Sequence, residues 1–205
     1  MAGTEQIERG LLAGLPMADD GADARLRARL VAAAERDGVL DVAYRTIDSP
    51  VGELLLAATG EGLLRVAFAC QDHDAVLAGI AGTVSPRILR GPRRLDEVAR
   101  QLDEYFGRTR TAFDLPLDLR LAKGFRRAVL AHLSEIAYGR TESYAEVAAA
   151  TGSPRAVRAV GTACATNPLP LVVPCHRVVR ADGSFGGYAG GADAKHTLLT
   201  LEAAA

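Results

Sequence analysis

At 205 residues, 49% hydrophobic and 24% charged, the chain has the balance of a globular protein, with length for one large or two small domains and a real core. No apolar run approaches the roughly 18 residues that a membrane helix needs, and the early acids Glu5 and Glu8 stand where a secretory signal has a basic-then-apolar segment. Three cysteines, Cys70, Cys164 and Cys175, cannot all pair with one another, so the expectation is a reduced cytoplasmic protein without a disulfide scaffold.

Residues 1–40 read as an appendage. Gly10, Gly14, Pro16 and Gly21 break any early element, and Ala24 to Arg36 then reads as a short helix with Leu26, Leu30, Val31 and Ala34 near one face and Gly38 as its stop. Such a helix is expected to pack on the body or stay half ordered rather than dock a partner. From Asp41 the pattern changes to strands: Val42–Ile47, then Gly52–Ala58, then Leu63–Phe68, joined by the turn clusters Asp48-Ser49-Pro50 and Thr59-Gly60-Glu61-Gly62. Short apolar runs joined by such turns predict a three-stranded antiparallel meander. Cys70 and His73 lie close together, but no second Cys/His pair stands at ligand spacing, so no metal site is expected. Arg93 to Phe106 is a predicted helix ending at Gly107, and Leu115-Pro116-Leu117 an extended connector.

A domain boundary is placed at this connector because the charge changes sign there. Residues 1–117 hold 14 Lys/Arg against 18 Asp/Glu, whereas residues 118–205 hold 10 against 7. The expected division is therefore an extension (1–40), a small α/β domain (41–117) and a C-terminal domain (118–205), the last with the positive balance an anionic ligand favours.

The C-terminal part is mostly helical. Phe125, Val129, Leu130, Leu133 and Ile136 mark one face of a helix from about Ala122 to Ala137. Ser143 and Glu146 form a capping box that opens a short helix running to Thr151-Gly152. Ser153 as N-cap and Pro154 at the first helical position are expected to start the next. Two helices around a glycine-bearing turn, the second carrying Arg155 and Arg158, have the layout of a helix-turn-helix. Ala156, Ala159, Gly161, Thr162, Ala163 and Ala165 keep that helix slim enough to approach a nucleic-acid groove. An ordinary helical hairpin with solvated arginines fits the pattern equally well.

After Asn167-Pro168 comes Leu169-Pro170-Leu171-Val172-Val173-Pro174-Cys175-His176-Arg177-Val178-Val179. A thiol is a nucleophile only as its thiolate and needs a base or a cation beside it, and His176 and Arg177 offer both. Asp182-Gly183 predicts a hairpin turn. The loop Gly186-Gly187-Tyr188-Ala189-Gly190-Gly191 lacks the Lys-Ser/Thr ending of a phosphate loop, so its glycines point to close approach by a ligand. Lys195 to Leu201 is the last helix, with Glu202 in its final turn.

Taken together, Asn167, Pro174-Cys175-His176-Arg177-Val178, Gly187-Tyr188-Ala189-Gly190-Gly191 and the stretch Lys195 to Glu202 resemble the O6-alkylguanine-DNA alkyltransferases, and the likeness begins near Thr46-Ile47-Asp48-Ser49-Pro50-Val51-Gly52. It implies an α/β (α+β) fold: a ribonuclease-H-like three-stranded sheet with helices, then a winged helix-turn-helix-like domain. It implies direct-reversal repair, in which Cys175 takes the alkyl group from O6-alkylguanine, and from O4-alkylthymine, irreversibly and once. His176 acts through a bound water as the base and Glu202 orients it, in the manner of a triad. Tyr144 contacts the guanine ring, Arg158 fills the place of the flipped base, Asn167 braces the turn before the cysteine, and the Tyr188-Ala189 backbone donates to O6. Ser143, Tyr144, Arg155, Ala156, Arg158, Thr162 and Cys164 form the implied DNA-contacting set, with Cys164 equally placed for packing. Pro174, Val178, Tyr188, Ala189 and Lys195 form the implied pocket. No cofactor, metal, membrane or obligate protein partner is expected; the partner is double-stranded DNA.

Three rival readings stand against this. A non-enzymatic binder of alkyl lesions would replace the acceptor cysteine, which is present here. A helix-turn-helix regulator would need a dimerising or effector domain, and a Cys-His hydrolase would turn over repeatedly and ignore DNA.

Overall fold

The computed structural model describes residues 20–203, so the breaks read at Gly10, Gly14 and Pro16 and the acids Glu5 and Glu8 lie outside the described residues. The chain divides into two compact units, one ending at Val39 and one from Leu40 onward. In the first, helix α1 (Asp20–Arg36) begins ahead of the expected Ala24 and runs through Gly21, a residue whose helical penalty is only about 1 kcal/mol. It ends as expected at Gly38, whose φ of 67° lets the Val39 N–H reach Ala34 O at 2.9 Å and close the last turn.

The second unit opens with β1 (Val42–Ile47), β2 (Leu54–Ala58) and β3 (Leu63–Phe68), an antiparallel meander in the expected places. The sheet has four strands rather than three, in the order β3-β2-β1-β4. Helix α2 (His73–Thr83), capped by the Asp72 side chain, leads to β4 (Ile88–Arg90), which pairs parallel to β1. Three residues carry too little alternation to be read as a strand, and α2 holds Gly79 and Gly82 and buries only Ile80. All five residues of β2 are buried because both faces of this inner strand are covered. Leu54, Leu56 and Ala58 share a core with Val66, Phe68, Leu95, Val98, Leu102 and Tyr105, while Ala57 packs with Val42, Leu64 and Ile80.

The connector closes the exposed edge of β3. Leu63 N–H donates to Pro116 O at 2.8 Å, Asp118 N–H to Leu63 O at 2.9 Å, and Val66 N–H to Pro168 O at 2.8 Å. An edge strand left open would offer its unpaired backbone to other chains. Gly62, at φ 147°, permits this closure, since a Cβ there would sit 2.2 Å from Pro116 O. Residues 40–205 thus form one unit around a shared core.

Helix boundaries shift for local reasons. The helix expected from Arg93 begins as a 3-10 turn over Pro92–Leu95 before α3 (Asp96–Phe106). Gly124, at φ 55°, lies outside helical geometry, so α4 covers only Phe125–Leu133 rather than 122–137. The two-residue strand β5 (Glu142–Ser143) leads into α5 (Tyr144–Ala150), and the Ser143/Glu146 capping box is formed. Ser153 does not cap the next helix: its carbonyl accepts from Ala156 N–H in a turn, and α6 (Val157–Ala165) starts from Ala156 without a side-chain cap. Pro154 serves a turn as readily as a helix start. Strand β6 (Val178–Val179) pairs parallel to β5. The turn at Asp182-Gly183 is present, with Arg180 N–H on Ser184 O at 2.9 Å, but no β-hairpin flanks it because β6 is already paired the other way. Helix α7 (Gly191–Ala203) closes the described chain. The class is α+β, an N-terminal sheet with helices followed by a winged, mostly helical C-terminal part.

Candidate active site and nucleic-acid face

The site is built on turns that lock one another. Asn167 follows α6, and its side chain clamps both ends of the next loop: Leu169 N–H donates to Oδ1 at 2.9 Å and Nδ2 donates to Val173 O at 2.9 Å. The loop holds Leu171 at φ 75°, a strained conformation for a branched residue that persists only where surrounding contacts impose it. Pro174, at φ −80° and ψ 62°, centres an inverse γ-turn in which Cys175 N–H meets Val173 O at 2.8 Å. Cys175–Arg177 then form one 3-10 turn. Asn167 Nδ2 also reaches Cys175 Sγ at 3.2 Å, so the residue that shapes the loop also holds the sulfur.

Cys175 is 2% exposed. Burial pushes its thiol up to about 11, against the Asn167 hydrogen bond and the nearby Lys195 charge, which favour the thiolate. The resting group is therefore a thiol that must lose its proton to react. Next to it, His176 is fully buried, and its Nε2 lies 2.8 Å from Glu202 Oε1. That contact puts the proton on Nε2 and leaves Nδ1, which has no protein partner, as the basic nitrogen. Burial pulls the imidazole below its usual range although Glu202 acts in the opposite sense, which keeps it neutral and able to accept a proton. Burial disfavours the Glu202 carboxylate as well, but hydrogen bonds from His176 and Arg177 outweigh it and bring its pKa down to about 2.

Lys195 is fully buried, and its Nζ donates to Val178 O at 2.5 Å. Burial lowers its pKa, while the neighbouring Cys175 and Cys164 thiols act the other way. It stands on α7 one turn into the helix, behind the cysteine turn. Tyr144, at the start of α5, is half-buried, and its hydroxyl passes so close to Gly186 that a Cβ there would lie 2.1 Å from it. Burial and the two thiols raise its pKa, so the phenol remains a donor. Tyr188 packs edge-on against Phe68 of β3 with 5.4 Å between ring centres. A Cβ on Gly190 would meet that same phenyl ring at 2.7 Å. The glycine-rich loop thus lies flat against Tyr144 on one side and the end of the sheet on the other, and Ala189 O receives the Cys70 thiol at 3.5 Å.

On α6, Arg158 and Thr162 are exposed, as is Arg155 just before the helix, with Ala156 half-buried. Neither arginine has an acidic partner among the described residues. Cys164 does not share this outer face: four residues after Val160, it turns inward and is 5% exposed. Burial and the neighbouring Cys175 push its thiol up to about 12. Ser143 spends its side chain on the α5 cap. Pro174 and Val178 flank the cysteine turn and are buried.

Two residues at the centre of the site escaped the sequence reading. Arg177, taken as a cation for the thiol, points away from it: Nε and Nη2 bind Glu202 at 2.9 Å each, and Nη1 donates to Ile136 O. Tyr105, read as a core residue of a helix, donates to Glu202 Oε1 at 2.7 Å. The alternation of Pro-Cys-His-Arg could have signalled the first, since buried arginines are seldom left without a carboxylate. Helical spacing hides the second entirely. Among the described residues no group of three or more His, Cys, Asp or Glu side chains is placed to hold a metal ion, and no helix is long and apolar enough to cross a membrane.

A buried thiol followed in the same turn by an imidazole bound to a carboxylate, on a chain that also carries a helix-turn-helix, is the arrangement of a cysteine-acceptor protein on a DNA-binding scaffold. Residues 42–119 match the ribonuclease-like domain of 6-O-methylguanine DNA methyltransferase, and residues 124–204 match the DNA binding domain of the same family. The chain is 44% identical over 161 residues to the methylated-DNA–protein-cysteine methyltransferase of Mycolicibacterium paratuberculosis, covering 78% of this chain and 92% of that protein. The crystal structure of the Mycobacterium tuberculosis O6-methylguanine methyltransferase superposes with a TM-score of 0.71 at 40% identity, covering 80% of this chain and 93% of that one. That of the M. tuberculosis OGT in complex with DNA gives 0.69 at 40% identity, over 79% and 93%. The chain belongs to the 6-O-methylguanine DNA methyltransferase family.

Proposed function

We propose that this protein repairs alkylated DNA by direct reversal, moving the alkyl group from guanine O6, or from O4 of thymine, to its own Cys175. The observation that carries the reading is the Cys175 thiol, almost wholly buried and hydrogen-bonded by Asn167, next to a His176–Glu202 pair. An alkylated O6 inside a duplex cannot reach such a sulfur, so the nucleotide leaves the stack, at a cost of a few kcal/mol. Arg158 on the exposed face of α6 takes its place, and Arg155, Ala156, Ser143 and Thr162 meet the backbone around it.

In the pocket, His176 Nδ1 takes the Cys175 proton through a bridging water. The thiolate attacks the alkyl carbon, a C–S bond forms, and the C–O6 bond breaks with its electron pair going to the guanine. Tyr144 donates to the ring as that charge arrives, and the Tyr188-Ala189 backbone donates to O6. Pro174, Val178 and Lys195 keep the pocket wall in place. The product is a thioether without an easy leaving group, so each molecule reacts once, and the sulfur as acceptor leaves no task for a cofactor. A reduced thiol fits a cytoplasmic setting. Within the one compact unit, the sheet part up to residue 117 supports the DNA-binding and acceptor part that follows.

The test is to incubate the protein with a duplex holding one O6-methylguanine, weigh the intact chain and map the adduct. One methyl per molecule on Cys175, absent in Cys175→Ala, is expected. An unchanged mass with lesion-selective binding favours the damage-binder reading, and neither result favours a regulator or a hydrolase.

A further inference from the structure

We propose that the sheet half of the protein takes part in the reaction through Tyr105, a positioning residue whose hydroxyl fixes the Glu202 carboxylate and through it the His176 tautomer. The proposal rests on the reading of Cys175 as alkyl acceptor and adds a residue to it from the other half of the chain.

The tyrosine ring needs no hydroxyl for its packing. Tyr105 is completely buried, with Phe106, Phe113 and Tyr138 rings at 5.4, 5.3 and 6.0 Å between centres, an apolar setting that a phenylalanine fills equally well. A hydroxyl placed there costs free energy unless it is hydrogen-bonded, and its one partner is Glu202 Oε1 at 2.7 Å. Burial and the Glu202 charge both hold the phenol protonated, so toward the carboxylate it is the donor.

The carboxylate it meets is held from every side. Oε1 accepts from Tyr105, from His176 Nε2 at 2.8 Å and from Arg177 Nη2 at 2.9 Å, while Oε2 accepts from Arg177 Nε at 2.9 Å and Gly139 N–H at 3.3 Å. His176 and Arg177 lie on the same 3-10 turn as Cys175. Tyr105 stands on α3, far along the chain and rooted in the sheet core. It is therefore the side-chain donor to Glu202 that does not come from the cysteine turn. A partner that orients the orienter of a catalytic histidine commonly matters to rate as well as to geometry.

The charged and titratable groups around His176 are Glu202 and Arg177, Lys195 on α7, Cys175, and Tyr188, whose ring centre is 6.2 Å away. Of these only Glu202 favours the imidazolium by a direct hydrogen bond. Removing the Tyr105 donor leaves more of the carboxylate charge on His176, which favours imidazolium and demands a higher pH for the neutral base.

The experiment is single-turnover methyl transfer from O6-methylguanine duplex across pH, scaled to the fraction of molecules that finally take up one methyl. Tyr105→Phe is expected to lower the plateau rate about tenfold and to move the acid limb to higher pH. In a Glu202→Gln background the same substitution is expected to change the rate less than about twofold. Fluorotyrosine at position 105, a stronger donor with the same packing, is expected to move the limb to lower pH. An unchanged limb in either variant, or an equal loss in the Glu202→Gln background, overturns the proposal and leaves Tyr105 a packing residue. If the wild-type chain takes up no methyl at all, the acceptor reading fails first.

Discussion

Two regions of this molecule bury different kinds of side chain. Around the sheet, Leu54, Leu56, Val66, Phe68, Val98 and Leu102 make an interior of hydrocarbon, and its polar backbone is consumed by strand pairing and by the Pro116–Asp118 connector. Around Cys175, the interior holds Asn167, His176, Arg177, Lys195 and Glu202, all nearly inaccessible. Apolar burial stabilises a fold wherever it occurs, whereas a buried ion pair is at best about neutral against hydrophobic residues of the same volume. Five buried polar side chains, from the loop after α6, the cysteine turn and α7, are thus poorly explained by stability. They fit a thiol that loses its proton out of contact with bulk solvent. Tyr105 belongs to both: its ring to the first kind of interior and its hydroxyl to the second.

The contrast predicts which substitutions harm the fold, which harm the chemistry and which harm both. Glu202→Ala should be the most damaging, because it leaves Arg177, His176 and Tyr105 without their common acceptor. A loss of roughly 3–5 kcal/mol in urea unfolding is expected, together with a collapse of the methyl-transfer rate. The same carboxylate gives the stability a pH signature. Its pKa falls from 4.5 to about 2 in the folded chain, so its contribution is complete above about 4.5 and disappears as pH falls toward 2. The advantage in urea midpoint of the wild type over Glu202→Gln should shrink across that interval, and a constant difference would deny the network its electrostatic role.

Leu56→Ala, on the central strand, should cost about 2–5 kcal/mol while leaving the rate per folded molecule at the wild-type value. A matching fall in rate would mean that strain in the sheet core reaches the site, for which the Phe68–Tyr188 contact offers a route. Asn167→Ala removes the loop clamp and the hydrogen bond to Cys175 Sγ. About 1–3 kcal/mol of stability should be lost, with a rate loss larger than that seen for a sheet mutant of equal instability. The smallest change is Ser143→Ala, which opens the capping box of α5 and should cost about 1 kcal/mol. Thermal unfolding resolves it, and lesion binding should weaken only as far as Tyr144 at the helix start loses its footing.

Much of this was legible in the residues. The meander from Val42 to Phe68 follows from short apolar runs and turn chemistry, the Ser143/Glu146 box from a local pattern, and the Cys175-His176 pair from one short segment, whereas Glu202 joined them only through the family resemblance. What failed was local as well. Gly124 and Pro154 each admit two conformations, so α4 and α6 begin later than expected, and β4 and α2 hold too few periodic residues to announce themselves. Covalent neighbours, turn residues and periodicity act through bonds or through the backbone of a few residues, and a sequence determines them by itself. Only the tertiary structure decided that Arg177 turns from the thiol to Glu202, that Cys164 faces inward, and that a tyrosine 97 residues before Glu202 donates to it. Those pairings depend on how α3, the cysteine turn and α7 pack against one core, and the free energy that selects that packing is summed over many contacts distant in the chain.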